Sequence, residues 1–114
     1  MIVRIGTDLV ETSRIQTAMR RPGFLERILT PNEIAISTSP NFVAGRWAAK
    51  EAIYKCLPGL TSWHDVEILR ADDGAPVVSI NHSSFQEGQT IHLSISHERG
   101  MAVAFAVLEK QQSS

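Results

Sequence analysis

The sequence predicts an α+β fold, an antiparallel sheet packed on one long helix. Apolar residues keep helical spacing through residues 41–57, whereas short β-type runs dominate after residue 65. The helical and strand stretches are grouped rather than interleaved, which points to a sheet with helices laid on it and not to βαβ units.

The elements follow in order. Residues 2–6, IVRIG, form a short β-rich run ended by glycine, and polar Thr7-Asp8 follows. A helix is expected over 12–20 (TSRIQTAMR), ended by Pro22-Gly23. LTPNE (29–33) is a helix start: Thr30 as N-cap, Pro31 at the first helical position and Glu33 closing a capping box. Ser39-Pro40-Asn41 breaks that helix, and a longer one runs from 41 to 57, stopping at Pro58-Gly59. VEILR (66–70) and PVVSI (76–80) then flank a turn at Asp73-Gly74, a hairpin signature. IHLSIS (91–96) and MAVAFAVLE (101–109) make a second pair joined by HERG. In the last strand Val103, Phe105 and Val107 face one way and Ala102, Ala104, Ala106 and Leu108 the other. Both faces are apolar, so this strand is either sandwiched in the domain or lies at a subunit contact. One domain over 1–110 with a loose tail at 111–114 is the expected organisation.

The composition bounds the function. Of 114 residues 43% are hydrophobic and 20% charged, with a net charge of −1, which argues against a protein built to wrap nucleic acid. The single cysteine, Cys56, has no partner for an internal disulfide and suits a reducing compartment. No apolar run approaches the roughly 20 residues that span a bilayer, and MIVRIGTD lacks signal-peptide features. The expectation is a cytoplasmic protein with neither membrane nor nucleic acid as partner.

The long helix carries the most chemistry. On a wheel of about 100° per residue, Gly45, Ala48, Ala49, Ala52, Ile53 and Cys56 share one arc. Arg46, Trp47, Lys50, Glu51, Tyr54 and Lys55 fill the other. The small apolar stripe lets the backbone lie close to a partner, the sheet. The charged arc has two readings: a solvated face with a Glu51–Lys55 pair, or cations for phosphates around a glutamate that holds a divalent metal. Asp8 is the candidate second ligand, placed just past a short strand; a helix N-cap or Asx-turn is its alternative. Glu11 offers a further carboxylate. In HLSISHE (92–98), His92, Ser94 and Ser96 share one strand face, while Leu93, Ile95 and His97 share the other. His97 is either a histidine at the core edge or one at a pocket rim. No nucleophile elbow is present, and His64, His82, His92 and His97 lack metal-ligand spacing.

Taken together, IGTDLVE (5–11), FLERILTPNE (24–33), FVAGRWAAKEAIYK (42–55), DVEIL (65–69), DGAPVV (73–78) and HLSISHE (92–98) resemble the holo-acyl-carrier-protein synthase family, the small 4′-phosphopantetheinyl transferases. The resemblance runs in order over essentially the whole chain. It implies the 4′-phosphopantetheinyl transferase fold and transfer of the phosphopantetheine arm of coenzyme A to a serine of an apo acyl carrier protein. The co-product is 3′,5′-ADP, and the setting is fatty-acid or polyketide synthesis. By the same resemblance Asp8 and Glu51 hold Mg²⁺. Lys55 and Arg46 bind coenzyme A phosphates, Lys50, which matches the lysine of the KEA motif, joins them in binding the coenzyme, and His97 contacts the nucleotide end. Asp8, Glu51, Lys55 and His97 form the catalytic set, and Glu51 or a water it holds takes the serine proton. Arg14, Arg20, Arg21 and Phe24 match the region that docks the acidic carrier. The family is similar to trimers with each site between two subunits, so the Asp8/Glu51 half and the docking half are expected from different chains. This chain departs from the pattern at Trp47, where phenylalanine is commonest. It departs again in CLPGLTSWHDV (56–66), which replaces a glycine-rich run, and in NHSSFQEGQT (81–90), which replaces a short helix. Two other readings are a non-catalytic module that binds coenzyme A or the carrier, and a Mg²⁺-dependent pyrophosphate hydrolase.

Overall fold

The computed structural model describes residues 1–112. Strand β1 (Ile2–Glu11) is twice the length that IVRIG suggests, because β5 (Met101–Lys110) pairs with it antiparallel down to Glu11↔Met101. Pairing partners, not local propensity, carry the strand through Thr7-Asp8. β4 (Gln89–Glu98) completes a three-stranded sheet of order β1-β5-β4, and β2 (Val66–Arg70) with β3 (Pro76–Ile80) forms a separate hairpin. The hairpin turn falls at Asp73-Gly74, as the sequence predicts: the Gly74 N–H donates to Ala71 O and Asp73 Oδ1 accepts from the Ala75 N–H at 2.9 Å.

Four helices lie between β1 and β2. Helix α1 (Thr12–Ala18) ends two residues earlier than expected, and α2 (Phe24–Ile28) is a short helix not anticipated. Helix α3 (Pro31–Ile36) begins with the predicted capping box, both halves formed between Thr30 and Glu33. Helix α4 (Pro40–Cys56) starts where the Ser39 side chain accepts the Phe42 N–H, with Pro40 in its first turn. No helix among the described residues is long and apolar enough to cross a membrane.

The small stripe of α4 does what its composition allows. Ala48, Ala49, Ala52, Ile53 and Cys56 are buried against Ala102, Ala104, Ala106 and Leu108 of β5. At Gly6 a β-carbon would collide with the Ala52 carbonyl oxygen and lie 3.0 Å from Lys55 Cβ, so strand and helix backbones meet there. At Gly45 it would lie 2.8 Å from His97 Nε2. Helix α4 therefore crosses the sheet obliquely, its first turns over β4 and its last over β1.

The doubly apolar strand resolves into two environments. Its alanine row is buried, whereas Val103 and Phe105 are exposed on the face that β1 extends with outward-facing Leu9, across from Val103, and Ile5, across from Val107. Of the tail, Gln111 donates its N–H to Gly88 O; Ser113 and Ser114 lie outside the described residues.

Candidate active site

Asp8 stands inside β1, opposite Ala104, and shares its inward face with Gly6 and Val10. It caps no helix: α1 has Glu11 at its N-cap with no side-chain hydrogen bond. Glu11 is exposed on the outward face and does not join Asp8. Since Gly6 brings β1 onto α4, Asp8 comes to the flank of the helix where Glu51 and Lys55 project. Lys55 Nζ donates to Thr7 O at 2.6 Å and lies 3.8 Å from Asp8 Oδ1.

The electrostatics of this flank are unresolved by the protein itself. Burial raises the Asp8 carboxyl above its ordinary value although Lys55 and Arg14 oppose it. Burial, followed by the charge of Asp8, raises Glu51 as well. Two half-buried carboxylates whose ionisation burial disfavours, with a lysine beside them, suit a hard divalent cation that takes oxygen ligands. Among the described residues no group of three or more His, Cys, Asp or Glu could hold a metal, so further ligands would have to come from substrate or water.

Arg14 acts on both carboxylates within the same chain. Arg14, Arg21 and Phe24 line one cleft of about 560 Å³ between α1, α2 and α4, with Arg27 and Trp47; Arg20 is exposed outside it. Trp47 stacks on Phe24 at 6.0 Å between centroids and meets Trp63 at 4.7 Å, and Trp63 meets Tyr54 at 5.3 Å. Two departures from the family pattern, Trp47 and the 56–66 loop, therefore touch each other.

The opposite flank of α4 holds Arg46 and Lys50, and here the sequence reading needs correction. Neither lies on an exposed arc. Lys50 is fully buried, and its ammonium donates to Ile28 O and Glu33 Oε1, both at 2.8 Å, and to Trp63 O at 3.1 Å. With three donors and three acceptors it has no proton left for a phosphate. Burial lowers its pKa, with Glu33 as the main opposing influence. Glu33 also accepts the Thr30 N–H and, through Oε2, the Ile68 N–H at 2.8 Å. Lys50 and Glu33 together tie α2, α3, α4, β2 and the 3₁₀ turn Trp63–Asp65 to one point.

Arg46 is fixed rather than saturated. Its Nε donates to Ile68 O at 2.9 Å and its guanidinium lies 4.3 Å from the Phe42 ring centroid. Burial lowers its pKa to about 10, Glu33 opposing this and Arg70 adding to it. Arg46, Arg70 and His97 line a cavity of about 360 Å³ with Gly74, Pro76 and Ile95. His97 Nε2 donates to Asn41 O at 2.9 Å, leaving Nδ1 for a ligand. His97 thus sits at a pocket rim, on the face the strand alternation predicts. The structure brings the site residues together as two groups, Asp8/Glu51/Lys55 with Arg14, and Arg46 with His97. Arg27 and Arg70 are not singled out by the sequence: Arg27 follows Phe24 by three residues on α2, and Arg70 meets Arg46 through packing of distant segments.

The family model described as "4'-phosphopantetheinyl transferase superfamily" matches residues 4–106. The holo-[acyl-carrier-protein] synthase of Halalkalibacterium halodurans is 39% identical over 124 residues, covering 99% of this chain and 100% of that protein. The crystal structure of a Bacillus anthracis holo-(acyl-carrier-protein) synthase, in complex with CoA (3′,5′-ADP), superposes with a TM-score of 0.83 at 38% identity. It covers 97% of this chain and 99% of that one. The Helicobacter pylori holo-[acyl-carrier-protein] synthase in complex with coenzyme A gives 0.84 at 32% identity, over 93% and 100% of the two chains. With paired carboxylates on one flank of its long helix and an arginine–histidine cavity on the other, the chain belongs to the 4′-phosphopantetheinyl transferase superfamily.

Proposed function

We propose that the chain transfers the 4′-phosphopantetheine arm of coenzyme A to a serine of an apo acyl carrier protein in a Mg²⁺-dependent reaction, as a holo-acyl-carrier-protein synthase. The observation that carries this reading is the Asp8–Glu51–Lys55 cluster, two carboxylates that burial holds above their ordinary values, Glu51 further raised by the charge of Asp8, with an adjacent lysine. Asp8 and Glu51 would hold the ion, which when bound supplies charge neutralisation at the pyrophosphate. Lys55 keeps ammonium protons free of Thr7 for a phosphate oxygen. The serine oxygen bonds to the phosphorus that carries pantetheine, that phosphorus loses its bond to the bridging oxygen, and the electron pair leaves on 3′,5′-ADP. The serine proton passes to the Glu51 carboxylate or to a water it holds. No activated protein nucleophile is needed.

The three arginines and two aromatics of the Arg14 cleft suit an acidic carrier surface that presents an apolar contact. Arg46 and His97 take the nucleotide end. They lie on the far flank of α4 from Lys55, about half a turn round the helix. His97 also lines a groove with Leu9, Ser96 and Val103, at the margin of the exposed apolar sheet face. That placement favours a homotrimer in which this face is buried and each site draws on two subunits. The setting is the cytoplasm, in fatty-acid or polyketide synthesis.

The experiment is intact-protein mass spectrometry of an apo acyl carrier protein incubated with this protein, coenzyme A and Mg²⁺, with a parallel sample in EDTA. One added phosphopantetheine, absent with EDTA, is the expected result. Release of 3′,5′-ADP with no carrier modified would overturn the transferase reading in favour of hydrolysis. Light scattering tests the trimer, and a monomer at micromolar concentration would refute it.

A further inference from the structure

The row of aromatics beside the Arg14 cleft has a member that the reaction as described does not use. Trp47 and Trp63 are the two tryptophans of the chain, and their ring centroids lie 4.7 Å apart at an interplanar angle of 30°. Phe24 continues the row on one side, 6.0 Å from Trp47, and Tyr54 on the other, 5.3 Å from Trp63. All four rings are half-buried, yet only Phe24 and Trp47 line the cleft. Trp63 backs Trp47 without lining it.

A ring serves as a wall only while something fixes it. On one side Trp47 leans on Phe24, whose helix α2 has five residues and starts at Gly23 with no side-chain cap, so it has little stability of its own. Trp63 is held more firmly, and through its backbone. Its carbonyl accepts from Lys50 Nζ at 3.1 Å. The 3₁₀ turn that it opens is capped by the Ser62 hydroxyl, which accepts the His64 N–H at 3.2 Å, and by Asp65 Oδ2, which accepts the Thr61 and Ser62 N–H groups at 3.0 Å. His64 Nε2 then donates to Glu26 O of α2 at 2.8 Å, and the Asn81 N–H donates to Asp65 O at 2.8 Å. One indole is thus presented from a frame tied to α4 by Lys50 and to α2 by His64. Trp47 stands four residues before Glu51 on α4, so the wall it makes lies one helical turn from that carboxylate.

Half-exposed rings in a row keep apolar surface in water until a partner covers them. On the function proposed above, the partner at this cleft is an acidic carrier with an apolar contact. Resting on that reading, we propose that Trp63 is a positioning residue for carrier recognition. Acting through Trp47, it holds the apolar wall of the Arg14 cleft in place and so sets the affinity for the carrier but not for coenzyme A.

The test compares steady-state transfer by the wild type, Trp63→Leu, Trp63→Phe and Arg14→Ala, with circular dichroism confirming the fold of each. Trp63→Leu keeps apolar bulk and loses the ring; Trp63→Met takes its place should it not fold. Trp63→Leu should raise the KM for the carrier about three- to tenfold, with kcat and the KM for coenzyme A within about twofold, and Trp63→Phe should recover most of the loss. Each Trp63 variant leaves Trp47 as the single tryptophan, so its fluorescence anisotropy reads the wall directly and should be lower in Trp63→Leu than in Trp63→Phe. A parallel loss in kcat and in both KM values would make Trp63 a packing residue of the whole fold, and equal anisotropies would free Trp47 from it; either result overturns the proposal. If Arg14→Ala raises the carrier KM and Trp63→Leu does not, the docking reading stands and this one fails. If neither raises it, the cleft is not the docking site, and the proposal falls with the reading beneath it.

Discussion

The two flanks of α4 each pair acid with lysine, and they do so in opposite ways. On one, Glu33 and Lys50 are at 2.8 Å with both side chains wholly buried. The protons of the lysine are used and both oxygens of the acid accept bonds. On the other, Lys55 stands 3.8 Å from Asp8, about half exposed, while burial raises both Asp8 and Glu51 and the charge of Asp8 adds to the rise at Glu51. A saturated buried pair has nothing left to offer a ligand and acts as a fastener. A half-buried cluster whose carboxylates burial holds back from ionising keeps oxygens and ammonium protons to offer. Satisfaction of hydrogen bonds, more than charge, separates the structural flank from the chemical one.

The largest effect should come from breaking the saturated side. Glu33→Gln leaves the Lys50 ammonium buried without its counter-charge and should cost about 3–5 kcal/mol of folding stability, measured by urea denaturation. Adding Lys50→Met should recover only part of that, since the reshaped site still has to satisfy the Thr30 and Ile68 N–H groups. A loss below about 1 kcal/mol would mean that the pair is not the fastener described. Next comes Glu51→Gln, which should lower kcat/KM for transfer by about 10²- to 10³-fold with the fold intact by circular dichroism. Near-normal turnover would remove Glu51 from the metal site.

Smaller still is Arg14→Ala. It should raise the KM for the carrier by a few-fold, on the order of 1 kcal/mol or less, most visibly at low salt. Because Arg14 also stabilises the ionised forms of Asp8 and Glu51, the variant should shift the acid limb of the rate profile slightly upward in pH. A salt-independent loss equal for carrier and coenzyme A would argue against docking. The finest contrast is thermal. Both carboxyls titrate above their ordinary values of 3.8 and 4.5 in the folded state, so their ionisation works against folding. That penalty is absent below the ordinary values and complete once pH passes the raised ones. In EDTA, Asp8→Asn should therefore melt higher than the wild type near about pH 7, converge with it in acid, and lose its advantage when Mg²⁺ is added. A gap unchanged by pH or by Mg²⁺ would show that Asp8 acts through packing.

Much of this was legible in the sequence. The Thr30/Glu33 capping box, the Asp73-Gly74 turn, the face alternation of β4 and the lean stripe of α4 are local patterns, and local patterns survive folding. The errors have a shared cause. A helical wheel gives the direction in which Arg46 and Lys50 leave the helix, but it does not say that α2, α3 and β2 cover that direction. Asp8 reads as lying past the end of a strand because Gly6 and polar Thr7 precede it, whereas β5, almost a hundred residues away, keeps it in the ladder. Arg70 has no local signature at all; its meaning depends on Phe42 and Arg46 arriving from another element. Glu33 shows the same limit from the other side, since the capping role was visible and the second engagement, with Lys50 and Ile68, was not.

The bare backbone of Gly6 has a consequence for ion choice. Asp8 lies two residues beyond it, and Glu51 adjoins the Ala52 carbonyl against which it rests, so an absent side chain sets the gauge between the two carboxylates. Mg²⁺–oxygen bonds of about 2.0–2.1 Å and Ca²⁺–oxygen bonds of about 2.3–2.6 Å ask for different gauges. A methyl group at that crossing would spread the jaws, and the ratio of Ca²⁺ to Mg²⁺ affinity in Gly6→Ala should rise above that of the wild type; an unchanged ratio would free the gauge from the glycine. Selectivity for a metal would then rest on a residue that never touches one.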